Sequence, residues 1–150
     1  MNGTRSAAGA ASDAPNRLDL CRVVELPRIA DPRGNLTFIE SGRHVPFDIE
    51  RAYWIYDVPG GEVRGGHAYR NLCELVISVS GSFDVLVDDG REQRLISLNR
   101  SYYGVYVPNL IWRQLVNWST NAVALILASS AYSEADYIRD YQEFAGLSHA

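Results

Sequence analysis

The sequence predicts an all-β fold, a sandwich or closed barrel of about ten short strands, followed by one short C-terminal helix. Three observations carry this. Short apolar or alternating runs recur at close spacing from Leu18 onward, turn signals separate them, and a single helical pattern stands at the end of the chain. In chain order the runs are CRVVEL, NLTFIE, AYWIYDV, HAYR, LVISVSG, FDVLVDD, RLISL, YGVYV, WRQLVNW and AVALILAS. They are rich in Val, Ile, Tyr and Trp, the residues that suit a pleated, half-buried surface. Turns fall at DPRG (31–34), PGG (59–61), DDG (88–90) and PN (108–109), and Asp89-Gly90 marks a tight hairpin. The helix is expected from an N-cap at Ser133 with early acids Glu134 and Asp136, continuing through YIRDYQEF to Phe144. Residues 1–17, rich in Ala, Gly and Ser, read as a disordered tail, residues 18–150 as one domain, and residues 145–150 as frayed.

Composition narrows the function classes. At 150 residues the chain is one ordinary domain, long enough to fold without disulfides or a structural metal. Cys21 and Cys73 lie in apolar runs without a CxxC motif and read as two small buried hydrophobes. The net charge is -4 and the arginines are scattered, so no cationic face for nucleic acid is expected. All 14 basic residues are arginine, which excludes Schiff-base catalysis and a lysine-bound pyridoxal group. No apolar run approaches the ~20 residues of a membrane span, and the N-terminus lacks the apolar stretch of a secretory signal. The expected location is the cytoplasm.

One stretch has an unusual spacing. From Gly61 to Gly81 it reads G-x5-H-x-Y-x4-E-x6-G, through His67, Tyr69 and Glu74. This matches the first cupin motif, G-x5-H-x-H-x3,4-E-x6-G, with Tyr69 in place of the second histidine. The second cupin motif survives as P-x4-R-x3-N from Pro108 to Asn117, with Arg113 where the last histidine stands. The i, i+2 spacing sets His67 and Tyr69 on one face of a strand, the inner face of a barrel. Of four cupin metal positions only His67 and Glu74 remain; arginine cannot ligate and a neutral tyrosine is a poor ligand, so no metal is expected. An isolated histidine is more often a satisfied core residue than a functional one. His67 follows Arg64-Gly65-Gly66, which permits close backbone approach, and this shifts the balance toward a role. For Tyr53 and Tyr69 the competing reading is aromatic packing, and for Glu74 a structural pairing with an arginine. His44 and His149 are expected to have no role.

Several blocks together resemble the cupin-type sugar-nucleotide 3,4-ketoisomerases (WxcM-like), over roughly residues 22–144. They are D-P-R-G-N-L at 31–36, V-P-F at 45–47, R-A-Y-W-I-Y-D at 51–57, R-G-G-H-A-Y-R at 64–70, G-S-F-D-V-L-V-D-D-G at 81–90 and L-A-S-x-x-Y-S-E-A-D-Y-I-R-D-Y-Q-E-F at 127–144. The resemblance implies an RmlC-like jelly-roll barrel, a homodimer and action on the dTDP-linked keto-deoxyhexose dTDP-4-keto-6-deoxyglucose in deoxysugar biosynthesis. It implies a keto group moved from C4 to C3 through an enediol(ate), without metal or redox cofactor. The family motif R-G-x-H-A-H-K has its catalytic base at the first histidine, which falls on His67; the second falls on Tyr69, and a frequent Trp-His falls on Trp112-Arg113.

Under that reading the expected catalytic residues are His67, Tyr69 and Arg64, with Arg33, Tyr53, Glu74 and Arg113 binding substrate. Histidine's reference pKa of about 6.5 suits a base working near neutrality. Arg64, Arg113 and the Tyr53 and Tyr69 hydroxyls are the expected donors to the enediolate, and Arg33 is the family's choice for the diphosphate. Two other readings compete: a non-catalytic sugar-nucleotide or carbohydrate-binding cupin, and a metal-dependent cupin oxygenase.

Overall fold

A computed structural model describes residues 17–148. After a 3-10 turn at Arg17–Leu20 the chain runs β1 (Arg22–Glu25), β2 (Arg28–Ile29), β3 (Leu36–Thr37), β4 (Arg51–Ile55), β5 (Arg64–Tyr69), β6 (Glu74–Ser80), β7 (Phe83–Asp88), β8 (Gln93–Leu98), β9 (Tyr103–Val107), β10 (Trp112–Val116) and β11 (Val123–Ala128). A second 3-10 turn (Glu134–Asp136), β12 (Tyr137–Ile138) and α1 (Tyr141–Ser148) complete it. All ten predicted runs contain a strand.

The strands form two five-stranded antiparallel sheets, β1-β9-β6-β11-β4 and β12-β5-β10-β7-β8, with β2 and β3 as a separate hairpin. Among the described residues no backbone ladder joins the two large sheets, so the expected barrel is made by packing of two layers rather than by closure. Alternation explains the layers. Val76, Val105, Ala124 and Ile126 of the first sheet meet Val85, Val87, Leu98 and Leu115 of the second in one buried cluster. The outer face of the first sheet is covered by Val45, Phe47 and Ile49, and that of the second by Ile138 and Phe144 packed on Ala68 and Trp112.

Three expectations need correction. Arg17 belongs to the fold and not to the tail: its guanidinium binds the carbonyl and side-chain oxygens of Asn109; the rest of the predicted tail, residues 1–16, lies outside the described residues. Cys21 is buried, but Cys73 is only half-buried, its thiol turned to the Asn71 carbonyl. The helix expected from Ser133 to Phe144 is split. Ser133 makes no side-chain cap, and Tyr137–Ile138 pair as a strand with Tyr69 and Ala68. The backbone there answers to β5, whose edge N–H and C=O groups need partners. The α-helix opens about two turns after Ser133, where Asp140 Oδ1 accepts the Glu143 N–H, and runs through the predicted frayed segment as far as Ser148. Among the described residues no helix is long and apolar enough to cross a membrane.

Candidate active site

The site is built where β4 and β6 of one sheet face β5 and β10 of the other. In β5, His67 sits opposite Arg113, while Arg64 sits opposite Leu115. Three steps on β5 against two on β10 make a bulge, centred on Gly65 with φ of 73°. A Cβ at Gly65 would lie 1.9 Å from Arg113 Nη1, so the predicted close backbone approach is real and the guanidinium is what approaches. His67 and Tyr69 point to the same inner face, as the spacing predicted, with ring centroids 4.8 Å apart.

Arg113 and Glu74 form the floor, at 1% and 0% exposure. Arg113 Nε donates to Glu74 Oε1 at 2.5 Å and Nη2 donates to Oε2 at 3.2 Å. Nη2 also donates to the Tyr53 hydroxyl at 2.9 Å, which in turn donates to Glu74 Oε2 at 3.2 Å. Nη1 donates to the Gly65 carbonyl at 3.3 Å. Burial raises the Tyr53 phenol to about 12, with the Glu74 charge adding to the shift. Glu74 is thus paired to an arginine, and the guanidinium occupies the place a cation would need. No group of three or more His, Cys, Asp or Glu side chains gathers among the described residues. This donor set does not fit a divalent ion.

Above the floor His67 lies in an aromatic triangle. Its ring is 4.9 Å from that of Tyr137, and Tyr69 and Tyr137 are 4.7 Å apart with their hydroxyls sharing a hydrogen bond at 3.3 Å. Burial raises the Tyr69 phenol, which keeps it neutral. His67 is 8% exposed and its Nε2 has no hydrogen-bond partner among the described residues. Its pKa is pushed down to about 2 by burial first, then by the charges of Arg113, Arg139 and Arg51, against a smaller opposing effect of Glu134. This departs from the near-neutral value expected from the sequence: the imidazole is dry and ringed by guanidiniums, both of which disfavour its cation.

The remaining predicted residues lie elsewhere. Arg64 is exposed and lines a cleft of about 540 Å³ with Trp54, Tyr56, Pro59 and Glu62. Arg33 stands in the β2–β3 turn, its side chain 89% exposed and its guanidinium paired to the carboxylate of Asp31. His44 has a local job, its Nδ1 accepting the Glu40 N–H; His149 lies outside the described residues. Four residues that site reasoning missed surround His67: Tyr137, Arg139, Arg51 and Glu134. Arg139 lies 4.2 Å over the Tyr137 ring and is paired to Glu134. The sequence signal for Glu134, Tyr137 and Arg139 was the block at 127–144, read there as one helix, and that for Arg51 was the block at 51–57.

The profile of the FdtA family, described as WxcM-like, C-terminal, matches residues 19–149. The chain is 38% identical over 123 residues to the TDP-4-oxo-6-deoxy-alpha-D-glucose-3,4-oxoisomerase of Aneurinibacillus thermoaerophilus, covering 82% of this chain and 88% of that protein. Its fold superposes with a TM-score of 0.84 on a 3,4-ketoisomerase from Helicobacter canadensis, at 36% identity and covering 87% of this chain and 98% of that one. It superposes with a TM-score of 0.80 on the WlaRB TDP-quinovose 3,4-ketoisomerase from Campylobacter jejuni, at 41% identity and covering 84% and 97%.

Proposed function

Because the chain belongs to the FdtA family of WxcM-like, C-terminal domains, we propose that it is an enzyme, a sugar-nucleotide 3,4-ketoisomerase, and that its substrate is dTDP-4-keto-6-deoxyglucose. The observation that carries the chemistry is His67, a neutral, buried imidazole whose Nε2 is left without a partner. A buried polar atom is rarely orphaned and calls for an explanation; a substrate hydrogen as its partner is the one this reading supplies.

The reaction follows with its atoms balanced. His67 takes the C3 proton, the C3–H electron pair becomes the C3=C4 double bond, and the C4 carbonyl becomes an enediolate oxygen. The proton of the C3 hydroxyl passes to that oxygen, C4 gains a proton as the His67 imidazolium gives one up, and the carbonyl stands at C3. No redox partner enters. The arginines that lower the pKa of His67 also face the negative charge that forms on the enediolate as the imidazolium forms, so their effect on the base is compensated in the transition state. Tyr69 fills the place of the family's second histidine, and its hydroxyl, linked to that of Tyr137, supports a role in returning the proton at C4. Arg33, whose guanidinium is open to solvent, is the proposed contact for the diphosphate. Arg64, exposed in its cleft, is the proposed rim contact. The protein is proposed to act as a homodimer in the cytoplasm, without metal or cofactor.

The test is to incubate the protein with the substrate in deuterated water and follow the sugar by NMR. The expected outcome is loss of the C3 proton signal with formation of the 3-keto sugar. His67→Asn should reduce both by about 10²–10⁴, the usual value of a positioned base, while remaining folded. Substrate binding with no C3 exchange in the wild type would instead favour a binding module. Wild-type exchange in folded His67→Asn would remove the base from the mechanism.

A further inference from the structure

The enediolate needs a cation or a set of donors, and the residue first expected to supply them is committed elsewhere. Arg113 directs Nε and Nη2 to Glu74 and Tyr53, and Nη1 to the Gly65 carbonyl, inside a fully buried floor. The Tyr53 hydroxyl donates to Glu74, and the Tyr69 and Tyr137 hydroxyls are bonded to each other. Arg64 is exposed in the outer cleft. A different arginine has the opposite property. Among the described residues two buried side-chain polar atoms lack a partner, His67 Nε2 and Arg51 Nε. One belongs to the base, and the other is a donor that can never be deprotonated away.

Arg51 opens β4, two residues before Tyr53, so both point to the inner face. Its guanidinium lies 4.9 Å over the Tyr53 ring and 5.6 Å from the Tyr132 ring, which fixes the plane of the fork. Its charge is felt at His67. The Arg51 side chain also hydrogen-bonds Tyr137, whose ring lies 4.9 Å from that of His67, so a proton acceptor and a cationic donor with a buried, unpartnered Nε are brought to the same tyrosine. That is the pair of groups needed by a carbon acid whose proton leaves as charge appears on the neighbouring oxygen.

We propose that Arg51 is a catalytic residue that holds the C4 oxygen as it turns from carbonyl to enediolate, an assignment that rests on the isomerase reading above. The bonding changes are those already given: His67 receives the C3 proton and Arg51 Nε–H donates to the C4 oxygen throughout, transferring no proton itself. Being fixed before the reaction, it needs no reorganisation, and such a donor is worth about 10²–10³ in rate.

The experiment compares wild type, Arg51→Gln and Arg51→Lys by saturating turnover, C3 exchange in deuterated water, and dTDP affinity by calorimetry. The expected result for Arg51→Gln is a fall of about 10²–10³ in saturating turnover and in C3 exchange together, with dTDP affinity unchanged. Arg51→Lys keeps a charge but not the planar fork, and it too should lose saturating rate at unchanged dTDP affinity; it carries the test where Arg51→Gln does not fold. Weakened dTDP affinity with normal saturating exchange would make Arg51 a diphosphate contact and overturn the proposal. Wild-type exchange in a folded variant would overturn it as well, while leaving the isomerase reading intact. Absence of exchange in the wild type removes both.

Discussion

His67 shows how much one residue's chemistry depends on what the chain packs around it. Its position and inward direction were legible, because the spacing of His67 and Tyr69 around the glycines is a local pattern. Its pKa was not, because the guanidiniums of Arg51, Arg113 and Arg139 that depress it come from three other segments. The same shift makes a stability prediction. The imidazole titrates near 6.5 in the unfolded chain and near 2 in the folded one. Between these values the unfolded state binds the extra proton, so folding weakens as pH falls below 6.5, by at most about 1.4 kcal/mol per pH unit, and the effect is absent above it. His67→Asn removes that proton uptake. Denaturant titrations at about pH 7 and pH 5 should show the wild type losing more stability than the variant on acidification. Equal losses would mean that the imidazole titrates alike in both states.

At the scale of elements, strand placement was legible from alternation, and the C-terminal segment was not. Its residues have helical spacing and an N-cap type at Ser133, yet Tyr137 and Ile138 pair with β5. The deciding residue is Asp136, whose carboxylate accepts the Asn71 and Leu72 N–H groups and the Asn71 side-chain amide at 3.0–3.1 Å. Its carbonyl also accepts the Arg70 N–H at 2.8 Å. These are long-range bonds, sixty-odd residues apart in sequence, and no local propensity encodes them. They also fix Tyr137 against His67, so fold and site depend on one clip. Asp136→Ala should destabilise by about 1.5–3 kcal/mol, the worth of hydrogen bonds to a charged group, and should lower turnover by releasing Tyr137. Amide exchange at Asn71 and Leu72 should accelerate in the variant. Undiminished protection there would show that strand pairing alone holds the segment.

At the scale of the whole molecule, the site doubles as a seam. Glu74 and Tyr53 come from the first sheet, Arg113 and His67 from the second, and among the described residues no backbone ladder joins the two layers. The sequence motifs named both halves of this pair, and Glu74 as an arginine's partner was an open reading. What the motifs could not state was that the arginine is Arg113, since that requires β6 and β10 to face each other. An ion pair this deeply buried is not a large net source of stability, because each charge has lost its hydration. Removing one partner is another matter. Glu74→Gln leaves Arg113 charged, since burial alone cannot neutralise a guanidinium, and strips its bidentate acceptor. The cost should be about 3–5 kcal/mol, which for a domain of this size lowers the melting temperature by roughly 10 °C. Pairing that change with Arg113→Met removes the stranded charge and should recover much of the loss, even though the site's floor is then gone. Thermal unfolding of the single and double variants reads this directly. A double variant no more stable than Glu74→Gln would mean that the seam is held by the apolar cluster beneath it, with the ion pair serving only to shape the pocket around His67.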